Sequence, residues 1–131
     1  MPILAIVEDL IFLSKIQQTA SLTNTRVEVI QPRELAERLS RGAPSAVICD
    51  LNYRAGLGLE TVRAMKANPA FLAVPVIGFL SHVQADLAKQ AREAGCDVVM
   101  ARSAFASQLP RILREYATMD AAPSSASSNA Q

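Results

Sequence analysis

Ala46-Val47-Ile48-Cys49-Asp50-Leu51-Asn52 is an apolar run closed by a carboxylate, and its reading decides the fold. A strand buried on both faces of a parallel sheet reads as a near-continuous apolar run. Ile3-Leu4-Ala5-Ile6-Val7 has the same form and stops at Glu8-Asp9. In open α/β sheets, chemistry gathers outside the carboxyl ends of the strands. Strands ending in Glu8, Asp9 and Asp50 would therefore bring three acids to one rim. Like charges that close disfavour one another's ionised forms, so the arrangement calls for something cationic among them.

The rest of the chain repeats the pattern. Apolar strands are expected at Ile3–Val7, Arg26–Ile30, Ala46–Asp50, Val74–Leu80 and Val98–Met100. Segments of helical period lie between and after them. The first runs over Leu10–Ala20, with Leu10, Leu13, Ile16 and Gln17 near one face. The second opens at Pro32, a favoured first-turn residue, carries Leu35, Ala36 and Leu39, and stops at Gly42. The third runs from Leu59 to Asn68, where Pro69 prevents continuation. Ser81-His82-Val83-Gln84 fits a capping box that opens the fourth helix, which closes at Ala94-Gly95. The fifth follows Ser103 as cap and carries Phe105, Leu109, Ile112, Leu113 and Tyr116. Pro110 inside that pattern implies a kink or a separate first turn. Alternating strands and helices imply βαβ units and a parallel sheet. The expected fold is a doubly wound α/β (βα)₅ three-layer sandwich, flavodoxin-like, with strand order 2-1-3-4-5. Its switch point falls between strands one and three, the two that end in acids.

Composition limits the function classes. The chain has 131 residues, 13 basic and 12 acidic, for a formal net charge of +1. That near-neutral balance does not favour nucleic acid or an anionic membrane as partner. Half the residues are apolar, which is enough for a core without staples. Cys49 and Cys96 are far apart and form no C-x-x-C pair. Both read as reduced, buried thiols of a cytoplasmic protein. The start of the chain lacks a basic, apolar signal-peptide pattern, and no stretch is long enough to span a bilayer. The folded unit is expected over residues 1–117. Residues 118–131, rich in Ala, Ser, Pro, Asn and Gln toward the end, form an expected disordered tail.

These residues together resemble the receiver domain of bacterial two-component response regulators. The resemblance rests on Glu8-Asp9 after strand one and Asp50 after strand three. It rests also on Asp50-Leu51-Asn52 followed by Gly58-Leu59-Glu60, on Pro75 opening strand four, and on Ala94-Gly95 before strand five. It implies a single-domain receiver in phosphorelay signalling. Asp50 would accept a phosphoryl group from a phosphohistidine or a small phosphodonor, a carboxylate being a workable covalent nucleophile. Glu8, Asp9, Asp50 and the backbone carbonyl of Asn52 would hold Mg²⁺, a cation that prefers oxygen ligands. A sensor histidine kinase or phosphotransfer protein would be the upstream partner. The face formed by helix four, strand five and helix five would meet a downstream protein, and a homodimer is compatible with it. No nucleic acid, membrane or enzymatic activity is implied.

Three positions depart from that family's pattern. Leu80 stands where a Ser or Thr would hydrogen-bond the phosphoryl group. Ser81 follows it, but a one-residue slip turns a strand side chain to the other face. Arg102-Ser103 stands in place of Lys-Pro, and Arg is not interchangeable with Lys. Arg102 is expected to bind a phosphoryl group, to hold Asp50 permanently, or to face solvent. Val99 replaces the aromatic switch residue. A second reading follows from these three: a pseudo-receiver, used as a protein-interaction module without phosphotransfer. His82, the single histidine, lies on the same rim and titrates near neutrality in its unperturbed state. A flavin carrier on the same fold ranks last, because Glu8-Asp9 would repel a phosphate.

Overall fold

The computed structural model describes residues 1–81 and 84–121, with side chains through residue 117. Five strands alternate with five helices: β1 (Ile3–Ile6), α1 (Leu10–Leu22), β2 (Val27–Val29), α2 (Leu35–Leu39), β3 (Ala46–Asp50), α3 (Leu57–Lys66), β4 (Val76–Leu80), α4 (Ala85–Ala94), β5 (Val98–Ala101) and α5 (Arg102–Ala121). All strand pairs are parallel, in the order β2-β1-β3-β4-β5. The expected doubly wound sheet and its order are therefore present. Strand β3 has the bounds expected for it, and the other four differ by one or two residues at one end or, for β2, by one at each.

The sheet divides the core. On one side Leu4, Ile6, Val47, Cys49, Val76 and Leu80 meet α2, α3 and α4. On the other Ile3, Ala5, Ile48, Ile77 and Phe79 meet α1 and α5. Alternate residues of one strand enter opposite clusters, as the period of two requires. Strands β1, β3 and β4 are buried at every position, which explains why they read as unbroken apolar runs.

Four local expectations are corrected. Helix α1 buries Phe12, Ile16 and Ala20, spaced by four, while Leu10 is 77% exposed. Asp9 caps the helix, which puts Leu10 in its first turn and turned away from the sheet. Pro32 opens a short 3₁₀ turn, Pro32–Glu34, ahead of α2. Helix α3 starts at Leu57 and ends at Lys66, ahead of a second short turn at Pro69–Phe71. Ser103 lies inside α5, which begins at Arg102 and runs through Pro110 without a break. Because α5 continues to Ala121, the boundary expected after residue 117 falls within its last turn. The remainder of the expected tail, residues 122–131, lies outside the described residues.

Cys49 and Cys96 are free and buried. Burial pushes both thiols up, Cys96 to about 11, so both are protonated at neutral pH. No helix among the described residues is long and apolar enough to cross a membrane.

Candidate functional site

The parallel register brings the ends of β1 and β3 side by side, with Ile6 opposite Cys49. Glu8, Asp9 and Asp50 follow at once, so the three acids share one rim. Asp50 is 2% exposed. Its carboxylate accepts from the Asn52 N–H at 2.9 Å and from the Glu8 N–H at 3.3 Å. Burial raises its pKa above the usual carboxylate range, opposed by the Asn52 and Glu8 N–H groups and by the charge of Arg102.

Asp9 caps α1. Its Oδ1 accepts from the N–H groups of Ile11 at 2.9 Å and Phe12 at 3.1 Å, as an N-cap aspartate does. Its Oδ2 accepts from Arg102 Nη1 at 3.0 Å. The Phe12 N–H, with the Ile11 N–H and Arg102, holds its carboxyl below the usual range against partial desolvation.

Glu8 turns to Arg54. The Arg54 N–H donates to Glu8 Oε1 at 2.8 Å and the Arg54 Nε pairs with Oε2 at 2.5 Å. A left-handed turn follows Arg54, with φ of 57° at Ala55 and 72° at Gly56. Left-handed backbone is ordinary for Gly but costs on the order of 1 kcal/mol for Ala. The chain thus carries a small strain in the turn that aims Arg54 back at Glu8.

Arg102 stands at the junction of β5 and α5. Its guanidinium carbon lies 5.0 Å from the ring centre of Phe12 and 5.8 Å from that of Phe79. Cation–π attraction at this range is worth roughly 0.5–2 kcal/mol. Its Nε is buried and has no hydrogen-bond partner. Arg102 therefore binds Asp9 and an aromatic bed. Of the three outcomes expected for it, direct capture of Asp50 is not what occurs: it acts on Asp50 through space.

Leu80 is 4% exposed and packs into the cluster shared with α3 and α4. Val99 is half-buried and packs against that same cluster. No hydroxyl and no swinging ring stands at either position. Helix α4 starts later than expected, so Ser81 does not hold its cap position. Gln84 holds the cap position of α4 without a side-chain cap bond. Asn52 intervenes: its Oδ1 accepts from the Ser81 N–H at 2.6 Å, and its Nδ2 donates to Gln84 Oε1 at 2.8 Å. One side chain thus ties the loop after β3 to the loop after β4. His82 lies outside the described residues.

Arg54 is the residue that sequence reasoning missed. It could have been found as the one cation between Asn52 and Gly58, in the loop that follows β3 on the acid rim. A concavity of about 940 Å³ lies elsewhere, between α2 and α3. Tyr53 and Arg54 are among its lining residues.

Mg²⁺ takes oxygen ligands in near-octahedral geometry and keeps several waters. The donor atoms here are all oxygen, as it prefers. Yet every carboxylate oxygen of Glu8, Asp9 and Asp50 already accepts from a nitrogen donor of the chain. Two guanidinium groups contact the acids that a dication would approach. No group of three His, Cys, Asp or Glu side chains is placed to hold a metal among the described residues. As arranged, these residues do not fit a divalent cation.

Solved structures share this fold. The signal receiver domain of a signal transduction histidine kinase from Syntrophus aciditrophicus matches with TM-score 0.78 at 18% identity, covering 99% of this chain and 98% of its own. The phosphorylated cyanobacterial phytochrome response regulator RcpA matches with TM-score 0.73 at 20% identity, covering 94% of this chain and 98% of its own. The Mn²⁺-bound form of response regulator Rcp1 matches with TM-score 0.72 at 16% identity, covering 88% and 93%. No family model matches the sequence, and no curated protein matches it. The chain has the fold of response-regulator receiver domains and resembles them over most of its length.

The titration of Asp50 gives a pH test. Because its folded pKa is raised above the unfolded value, the folded state binds the proton more readily there. Stability contributed by that proton is fully present below the unfolded pKa and is lost as pH rises through the folded pKa. Asp9 works the other way, losing its contribution as pH falls through its lowered folded pKa. Asp50→Asn should therefore remove a component that weakens the protein as pH rises above the ordinary carboxylate range. Urea unfolding across acid to neutral pH, compared between wild type and Asp50→Asn, measures it. Parallel stability curves for the two proteins would contradict the assignment.

Proposed function

We propose that this chain is a receiver-type signalling module that works through protein–protein contacts without phosphotransfer. The observation that carries this reading is the engagement of Arg102 by Asp9 and by the rings of Phe12 and Phe79. A cation held in this way is not free to follow a phosphoryl group on Asp50. Leu80 and Val99 support the same reading, since apolar side chains packed in a cluster have no donor to offer a phosphoryl oxygen. The face of α4, β5 and α5 is the proposed contact surface. Helix α4 buries only Ala91, and β5 is an edge strand, so much of that face is available to a partner. The partner would be a signalling protein, met in the cytoplasm, with a second copy of the chain as an alternative occupant.

One observation favours the competing reading. Asp50 is a buried carboxylate at the switch point, presented by two backbone N–H groups, which suits a phosphoacceptor fed by a sensor histidine kinase or phosphotransfer protein. That reading has Mg²⁺ on Glu8, Asp9, Asp50 and the carbonyl of Asn52. It requires Arg54 and Arg102 to leave the acids, and Ser81 to supply the hydroxyl that Leu80 lacks. Intact mass after incubation with phosphoramidate and Mg²⁺ separates the two. The expected result is an unmodified protein under conditions that label a control receiver. A gain of one phosphoryl group, abolished by Asp50→Asn, would establish the competing reading.

A further inference from the structure

We infer that Arg54 and Arg102 are the resident counter-cations of the acid rim and exclude a divalent cation from it. Three acids at one rim call for positive charge, because like charges held close together repel one another. The chain supplies that charge from two distant segments. Arg54 reaches Glu8 across 46 residues of sequence, and Arg102 reaches Asp9 across 93. Each places a guanidinium in contact with one acid, and the third acid, Asp50, takes two backbone N–H groups.

The two arginines are held differently. Arg102 has 30% of its side chain exposed, and its guanidinium lies over two aromatic rings. Arg54 is 75% exposed, and its hold on Glu8 comes from the main-chain N–H as well as the guanidinium. The left-handed turn at Ala55-Gly56 sets both donors toward the same carboxylate. Exposed ion pairs are weak by themselves, roughly 0–1 kcal/mol, so Arg54 is the readier of the two to yield. A dication entering the rim would meet two positive charges at close range. Repulsion from even one neighbouring cation, at the effective dielectric of a protein surface, is enough to lower affinity roughly tenfold or more.

The test uses the full-length protein labelled with ¹⁵N and Mn²⁺ as the probe, read by paramagnetic broadening of amide resonances. Wild type should show no selective broadening at Glu8, Asp9, Asp50 and Asn52. The Arg54→Ala/Arg102→Ala double variant should show it at those residues, with affinity raised roughly tenfold or more. Adding Asp50→Asn should weaken that gain. If loss of Arg102 unfolds the chain, Arg54→Ala alone serves, since its side chain lies largely in solvent. It should gain broadening centred on Glu8. Selective broadening of the rim in wild type, or equal Mn²⁺ affinity in wild type and variants, would overturn the inference. The experiment does not depend on the phosphorylation-independent reading. A protein that takes up no Mn²⁺ yet is modified by phosphoramidate would defeat that reading and leave this inference standing.

Discussion

Phe79→Ala is expected to lower the unfolding free energy by about 3–5 kcal/mol, the usual range for an aromatic-to-Ala change in a closed core. Phe79 is wholly buried at the centre of a three-ring cluster. Its ring lies 4.9 Å from Phe12 and 4.9 Å from Phe105, and the latter pair is stacked at 19°. Phe12 and Phe105 also meet directly at 5.8 Å. Removing the middle ring breaks two of the three contacts, and neighbours held by the sheet cannot close the space. The cluster also connects the core to the acid rim, because Arg102 lies over Phe12 and Phe79. Urea unfolding should show a lower midpoint with an unchanged slope. Phe79→Leu, which keeps much of the volume, should lose markedly less. A loss below about 1 kcal/mol for the Ala variant would mean that the cluster collapses around the cavity.

Gly58→Ala should also destabilise, although Ala is the better helix former. Gly58 lies in the first turn of α3 and approaches the end of β3 closely. A Cβ there would sit 2.2 Å from the backbone carbonyl oxygen of Asp50 and 3.1 Å from the Cα of Leu51. Neither atom belongs to a flexible side chain, so α3 or the end of β3 must move. Helix propensity favours Ala over Gly by about 1 kcal/mol. Overpacking against fixed backbone costs about 1–3 kcal/mol and sometimes more. At a contact this short the steric cost exceeds the propensity gain. The same displacement would shift Asp50 itself, which Asn52 and Glu8 hold. Thermal unfolding and the Asp50 amide resonance of Gly58→Ala should both change. An unchanged or higher melting temperature would show that propensity wins.

Much of the architecture was legible because it depends on period and polarity. Val47 and Cys49 face one cluster, Ala46 and Ile48 the other, and Asp50 ends the run at the switch point. None of that needs knowledge of distant contacts. The errors share a cause. Helical spacing puts Leu10 near one face with Leu13, Ile16 and Gln17, but Asp9 fixes where α1 begins and so which residues turn inward. Ser81 reads as a helix cap from its own four residues. Its backbone N–H is instead taken by Asn52, 29 positions away, and no local pattern reports such a competitor. The acids of the rim were legible, but their partners were not. Glu8 with Arg54 and Asp9 with Arg102 are pairs that only the folded topology creates. Arg102 was suspected because it stands where another cation is usual. Arg54 had no such pointer.

Lys66 shows how the opposite end of the sheet is secured. Its ammonium donates to the carbonyls of Leu72 at 2.9 Å and Val74 at 2.6 Å, and lies 3.6 Å from Asp97. Asp97 in turn accepts from the Val76 N–H at 2.7 Å. The stem of Lys66 also covers Gly95, where an added Cβ would meet it at 2.6 Å. Helix α3 and the entries to β4 and β5 are thus fastened at the foot of the sheet, away from the acids. The consequence is that the two ends of the sheet are held by separate sets of contacts. These contacts involve none of the acids of the rim, so substitution of Glu8, Asp9 or Asp50 leaves the fastening at Lys66 in place.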